Sequence, residues 1–249
     1  MNACFLILFA FFITTRCKSI SQNLGSEFEP SDCVWDGKFL FVVDDEGSMA
    51  SIDANGKLIK KYNFNGEDLE AITIIPKKPL FIYLGVENPP QILEVNKESG
   101  KIIKKFILPN NFVKSEDEGL ESLTYLENSK HGGIFLCGSQ KNSHVYMYIL
   151  NFDSLRVIPV GSFVAPGNKK DLSAMTIYND ILYFLYDEPQ VMYYVKLKDT
   201  NLKTFNKGER ISLSNIKKTI SKHPDQEGLA FNKNNKFIAI DTGDVLKTS

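Results

Sequence analysis

The sequence predicts an all-β fold, a five-bladed β-propeller of four-stranded antiparallel blades. Three observations point to it. First, a five-residue frame (polar, small, apolar, then Val, Thr or Ala, then large apolar) recurs in five copies beginning at Ser31, Glu70, Glu121, Ser173 and Glu227. The copies read SDCVW, EAITI, ESLTY, SAMTI and EGLAF, and they lie 39, 51, 52 and 54 residues apart. Second, each copy is followed by a more apolar run and, in four of them, by paired runs in which apolar and polar residues alternate around turn residues. Third, convincing helical periodicity is almost absent. A repeat of this length holding four short strands is the signature of a propeller blade. A β-sandwich would also supply many short strands, but not the regular return of one frame.

The chain opens with CFLILFAFFIT (residues 4–14), the length of a signal-peptide core and short for a membrane span. The expected organisation is a signal peptide or N-terminal anchor over residues 1–19 and a single propeller domain over 20–249. Cleavage after Ser19 is the favoured reading; lipidation at Cys17 or a retained anchor are the alternatives. The chain is therefore expected to be exported, secreted or periplasmic, with any membrane attachment running through the N-terminus.

The second run of each repeat reads FLFVVDDEG, LFIYLGVEN, GIFLCGSQ, ILYFLYDEP and KFIAIDTG, and all but the third end in acid. The outer pairs read ASIDANGKLIKKYNF, QILEVNKESGKIIKKFIL, YMYILNFDSLRVIPV and MYYVKLKDTNLKTF, antiparallel hairpins with Asn-Gly or Ser-Gly at two turns. SNIKKTISK (residues 214–222) is expected to form one short surface helix. The fifth repeat ends after enough chain for a third strand only. The segment near residues 22–28 is expected to supply the missing outer strand and close the ring.

Composition narrows the functional classes. The chain has 249 residues, 29 basic and 30 acidic, for a net charge of −1, so no broad attraction to nucleic acid is implied. The paired lysines at 60–61, 104–105, 169–170 and 217–218 read as solvated faces or edge-strand protection. Past the apolar leader, Cys33 and Cys137 lie in apolar runs and read as small buried hydrophobes, although export would permit a disulfide.

In a propeller the inner strands surround one channel, so equivalent positions converge. Glu70, Glu121 and Glu227 share the first frame position, with Asp68 and Asp225 just upstream in two of these copies and Glu87 closing the second run of its repeat. Two carboxylates about 5 Å apart repel by about 3 kcal/mol at an effective dielectric near 20. Such a cluster must be partly protonated, well hydrated or bound to a cation. An all-oxygen donor set suits calcium; zinc is disfavoured, because no His or Cys accompanies the acids. The acids Asp44, Asp45, Glu46, Asp187 and Glu188 either line the same channel or are solvated turn residues. Enzyme signatures are thin: no G-x-S-x-G, no H-E-x-x-H and no phosphate-cradling glycine loop is present. Of the three histidines, His131 falls in a turn, His144 beside a strand start, and His223 just before the fifth frame, where it is a candidate general base.

DLEAIT (68–73), EGLESLTY (118–125), DLSAMTIY (171–178) and EGLAF (227–231) together resemble the SdiA-regulated, YjiK-like family, whose members show D-x-E-G-I, E-G-L, D-L-S-G-L and E-G-V/L in this order. The resemblance covers residues 29–241. It implies a five-bladed propeller distantly similar to NHL-repeat propellers, exported or membrane-associated, with a calcium site and no established catalytic activity. On this chain it places the ligands among Glu70, Glu121 and Glu227, with Asp68 and Asp225 as neighbours. Ala71, Ser122 and Ala174 depart from the family's glycine, and the third blade ends in Gly-Ser-Gln where acid is expected. The functional expectation is a monomeric, calcium-binding propeller that offers its channel mouth to an unidentified small ligand or protein. The alternative is a calcium-dependent hydrolase of the phosphoesterase or phytase kind.

Overall fold

The computed structural model describes residues 17–20, 24–109, 119–140, 142–167, 171–221 and 223–248. Twenty strands form five four-stranded antiparallel sheets. Blade 1 is β2 (Pro30–Trp35), β3 (Leu40–Asp44), β4 (Ser48–Ile52) and β5 (Leu58–Asn63). Blade 2 is β6 (Leu69–Thr73), β7 (Phe81–Val86), β8 (Gln91–Asn96) and β9 (Ile102–Ile107). Blade 3 is β10 (Leu120–Asn128), β11 (Gly132–Ser139), β12 (His144–Asn151) and β13 (Arg156–Val164). Blade 4 is β14 (Leu172–Tyr178), β15 (Ile181–Tyr186), β16 (Val191–Lys196) and β17 (Lys217–Ile220). Blade 5 is β18 (Gln226–Phe231), β19 (Lys236–Ile240) and β20 (Asp244–Thr248), with β1 (Cys17–Ser19) added at its outer edge. The innermost strands β2, β6, β10, β14 and β18 neighbour one another in that order and close the ring.

The apolar second runs follow from this packing. Each second strand lies between two neighbouring blades, so both its faces are buried. Leu40 and Val42 of β3 pack toward blade 5, whereas Phe41 and Val43 pack toward blade 2. Ile82 and Leu84 of β7 face blade 1, and Tyr83 between them faces blade 3. The core consists of five clusters, each filling one blade–blade interface. A strand apolar on both faces loses the period-2 alternation of a half-exposed strand and reads as a continuous apolar run. The outer strands, with one side to solvent, keep the alternation. Three of the lysine pairs, at 60–61, 104–105 and 217–218, fall on the outermost strands β5, β9 and β17, where an ammonium row discourages pairing with another chain.

Three local expectations are corrected. The N-terminus does complete the last blade, but with Cys17–Ser19, which pairs antiparallel with residues 246–248. Residues 22–23 lie outside the described residues, and Leu24 to Phe28 carry no strand. Leu24 and Phe28 instead bury their side chains between blades 5 and 1. Nor do residues 214–221 of the expected 214–222 helix form one; residue 222 lies outside the described residues. Lys217–Ile220 is the outer strand of blade 4, paired with β16 over 191–194. A short solvated edge strand has almost no apolar period, so only pairing with β16 decides its conformation. The run MYYVKLKDTNLKTF likewise supplies one strand instead of two. After β16 the chain makes a short 3-10 turn (Leu197–Asp199), then crosses as a strap. Leu202, Phe205 and Ile211 of the strap bury against blades 3 and 4. Cys33 and Cys137 are free and buried, in separate blades.

Candidate metal centre at one end of the channel

The first residue of every frame is a β-bulge. In each inner strand the ladder skips one residue: Ser31, Glu70, Glu121, Ser173 and Glu227. A bulge leaves its extra residue out of the pairing and re-aims the side chain. Four of the five skipped residues, all but Ser173, line a cavity of about 340 Å³ at the start of the inner strands. The repeat seen in sequence is thus a repeated backbone device.

Antiparallel pairing brings the end of each second strand to the same place. Glu87, Asp187 and Asp241 donate their backbone N–H groups to the carbonyls of Asp68, Asp171 and Asp225, at 3.0, 3.2 and 2.9 Å. In each of these blades the acid that closes the second strand therefore lies beside the acid upstream of the frame. Asp45, Asp68, Glu87, Gln140 and Asp241 join the bulged residues in the cavity wall, and no basic side chain lines it among the described residues.

Asp68, Glu70 and Glu87 each place a carboxylate oxygen within 4.8 Å of the other two. Glu87 is anchored across the blade boundary, accepting the Gly119 N–H at 2.7 Å. Gly119 tolerates no side chain here, because a Cβ would lie 2.4 Å from Glu87 Cγ. Burial pushes the Glu70 and Glu121 carboxyls well above the usual range, reinforced mainly by Glu121 on Glu70 and by Glu87 on Glu121. Burial and the nearby Asp187 and Asp241 carry Glu227 up to about 8. Burial and Glu29 carry Asp45 up to about 6. Its buried Oδ1 has no hydrogen-bond partner among the described residues. Carboxylates held together this way lack only a countercharge, and hard oxygen donors fit a divalent cation such as calcium.

Of the six candidate ligands in the sequence, Asp68, Glu70, Glu87, Glu121 and Glu227 line this cavity; Asp225 is exposed and does not. Asp44 faces its own turn, accepting the Ser48 N–H at 2.5 Å, and Asp187 ties blade 4 to blade 5 through the Gln226 N–H at 3.0 Å. Glu46 and Glu188 stay outside the lining, and Glu118 lies outside the described residues. His223 lines neither end of the channel. Asp241 was legible only as one of the repeated acids that close second strands. Asp32, in the small-residue slot, carried no signal at all. It is buried, and accepts backbone N–H groups from Cys33 at 2.7 Å, Ile72 at 2.9 Å and Leu229 at 3.4 Å. One carboxylate thereby ties blades 5, 1 and 2. Gly228 opposite it must lack a side chain, since a Cβ would lie 2.6 Å from Asp32 Cα.

Among solved structures, the chain is similar to glutaminyl cyclase of Myxococcus xanthus, with a TM-score of 0.63 at 8% identity over 90% of this chain and 91% of that one. It is also similar to a protein of unknown function from Bacteroides caccae, with a TM-score of 0.52 at 13% identity over 86% and 71% of the two chains. These likenesses establish the fold. No protein-family model matches the chain, and neither does any curated protein. At such identities the backbone is shared and the site chemistry is free to differ.

Proposed function

We propose that this chain is an exported calcium-binding propeller of the SdiA-regulated, YjiK-like kind, which presents the acidic end of its channel to a ligand or protein partner without catalysing a reaction. The observation that carries this reading is the convergence of Asp68, Glu70 and Glu87 within 4.8 Å, in a wall that holds Glu121 and Glu227 and no described basic residue. Asp68, Glu70 and Glu87 would hold the ion, with Glu121 beside them. The bound ion supplies the positive charge that the cluster lacks. The bulges at Glu70 and Glu121 and the Gly119 N–H hold these oxygens in advance. Asp225, exposed and outside the cavity, is not among the proposed ligands.

A phosphoesterase would need lysine or arginine at the cluster to meet the phosphate. The described wall offers none, which favours binding over hydrolysis.

Melting of the purified protein in calcium and in chelator tests the reading. Calcium at a hundred times its dissociation constant adds about 2.7 kcal/mol, or roughly 5–11 °C at this chain length. Glu70→Gln separates the two states: it should raise the melting temperature in chelator, by removing repulsion, and shrink the calcium response. No calcium response in the wild-type protein would refute the metal reading. Phosphatase activity that depends on calcium would establish the rival.

The pH dependence in chelator has a defined sign. Glu227, raised to about 8, contributes stability that is complete below its unfolded value near 4.5 and lost as pH rises through 8. Glu70 and Glu121 act in the same direction. The chelated protein should therefore melt lower at pH 9 than at pH 6, and Glu227→Gln should flatten the slope. A chelated melting temperature that climbs over this interval would contradict the assignment.

A further inference from the structure

The opposite end of the channel is built from the last two frame positions. There a second cavity, of about 290 Å³, is lined by Trp35, Tyr125, Tyr178 and Phe231 together with Thr73, Thr124 and Thr176. Thr73 and Thr124 are 5% and 4% exposed. Among the described residues, no side-chain hydrogen bond ties up Thr73, Thr124, Thr176 or Trp35, all of which line the cavity. Three adjacent blades thus bring three threonines into the lining of one small space; their hydroxyls are not among the fully buried, unpaired side-chain atoms, so they open to the cavity.

The charges at this end are already engaged. Lys203, carried in by the blade 4 strap, bonds Asp180 at 2.7 Å, and Glu127 pairs with Lys77 at 3.0 Å. Trp35 stacks on Phe237 with ring centroids 5.7 Å apart, and Tyr178 on Phe231 at 5.3 Å, which holds the aromatic walls in place. A charged ligand would find no free counterion among these residues. Hydroxyls that both donate and accept match a polyol, and aromatic walls match the apolar C–H face of a sugar ring. The volume sits at the lower limit of ordinary ligand pockets, about 300–1,000 Å³, and so suits one ring and not an oligomer.

We propose that this end of the channel binds a neutral carbohydrate ring of monosaccharide size, independently of the acidic end. Trp35 is the only tryptophan of the chain, so its fluorescence reports this site alone. The full chain is titrated with glucose, galactose, N-acetylglucosamine and their methyl glycosides, and with nicotinamide as a neutral planar comparison. At least one sugar should give a saturable change that persists in chelator. Thr124→Val, close in shape, should weaken it about tenfold, the worth of one hydrogen bond, with the melting temperature unchanged. If Thr124→Val melts early, acrylamide quenching of Trp35 in the wild-type protein decides: a bound sugar should reduce it, and unaltered quenching overturns the proposal. No saturable response to any sugar, a response to nicotinamide alone, or loss of the sugar response in chelator overturns it as well.

Discussion

Replacing Asp32 with alanine should destabilise the protein by about 3 kcal/mol and lower its melting temperature by roughly 6–12 °C. The side chain is 2% exposed and accepts N–H groups from three strands of three blades. Alanine leaves those donors buried and unpaired, each costing about 1–3 kcal/mol, while the relief of desolvating a carboxylate offsets part of the loss. Asparagine at this position would keep one acceptor oxygen but turn an NH2 group toward a donor, so Asp32→Asn should fall between wild type and Asp32→Ala. Thermal melts of the three proteins in calcium and in chelator check this. The Asp32→Ala loss should be alike in both, because Asp32 lies outside the cavity wall. A shift under about 2 °C, well below the smallest change expected for 3 kcal/mol, would show that the three-blade junction holds without the carboxylate.

Beginning the chain at Ile20 should lower the melting temperature by about 4–12 °C relative to a chain begun at Cys17, the equivalent of about 2–3 kcal/mol. The three residues removed form the outer strand of blade 5, pairing with Leu246, Lys247 and Thr248, and Ser19 Oγ donates to Asp244 Oδ1 at 2.6 Å. Their loss exposes the edge of β20 and leaves the ring without the strand that joins the two ends of the chain. Amides of β20 should then exchange faster, and the shortened chain should aggregate more readily. A leader cut after Ser19 would remove this same strand. Comparing the two chains therefore also shows which mature terminus the propeller tolerates. Identical melting and exchange would mean that β1 contributes nothing to closure.

The legibility of the site divides along physical lines. Glu70, Glu121 and Glu227 could be grouped from sequence because one frame position recurs in register with the blades. Glu87 could be added because the acids closing the second runs recur too. Asp225 misled: it shares the upstream position with Asp68, but its backbone turns left-handed, with φ of 55°, and its side chain is exposed. The aromatic end was written in the same frames, in Trp35, Tyr125 and Phe231, yet large apolar residues at strand ends read equally well as core.

Sequence alone determined the repeat, and with it the five blades, the inner and second strands of each and the convergence of the frame acids on one axis. These follow from periodicity, which survives in a linear text. Tertiary structure alone decided which three N-terminal residues close the ring, that residues 217–220 are strand and not helix, and that the frame acids are bulged residues aimed into a cavity. It also decided that Asp32 serves three blades. Cross-blade hydrogen bonds and the closing strand depend on partners between 40 and more than 200 residues away, the bulges and the blade 4 edge strand depend on register with a neighbouring strand, and no local pattern of apolar and polar residues encodes such a partner.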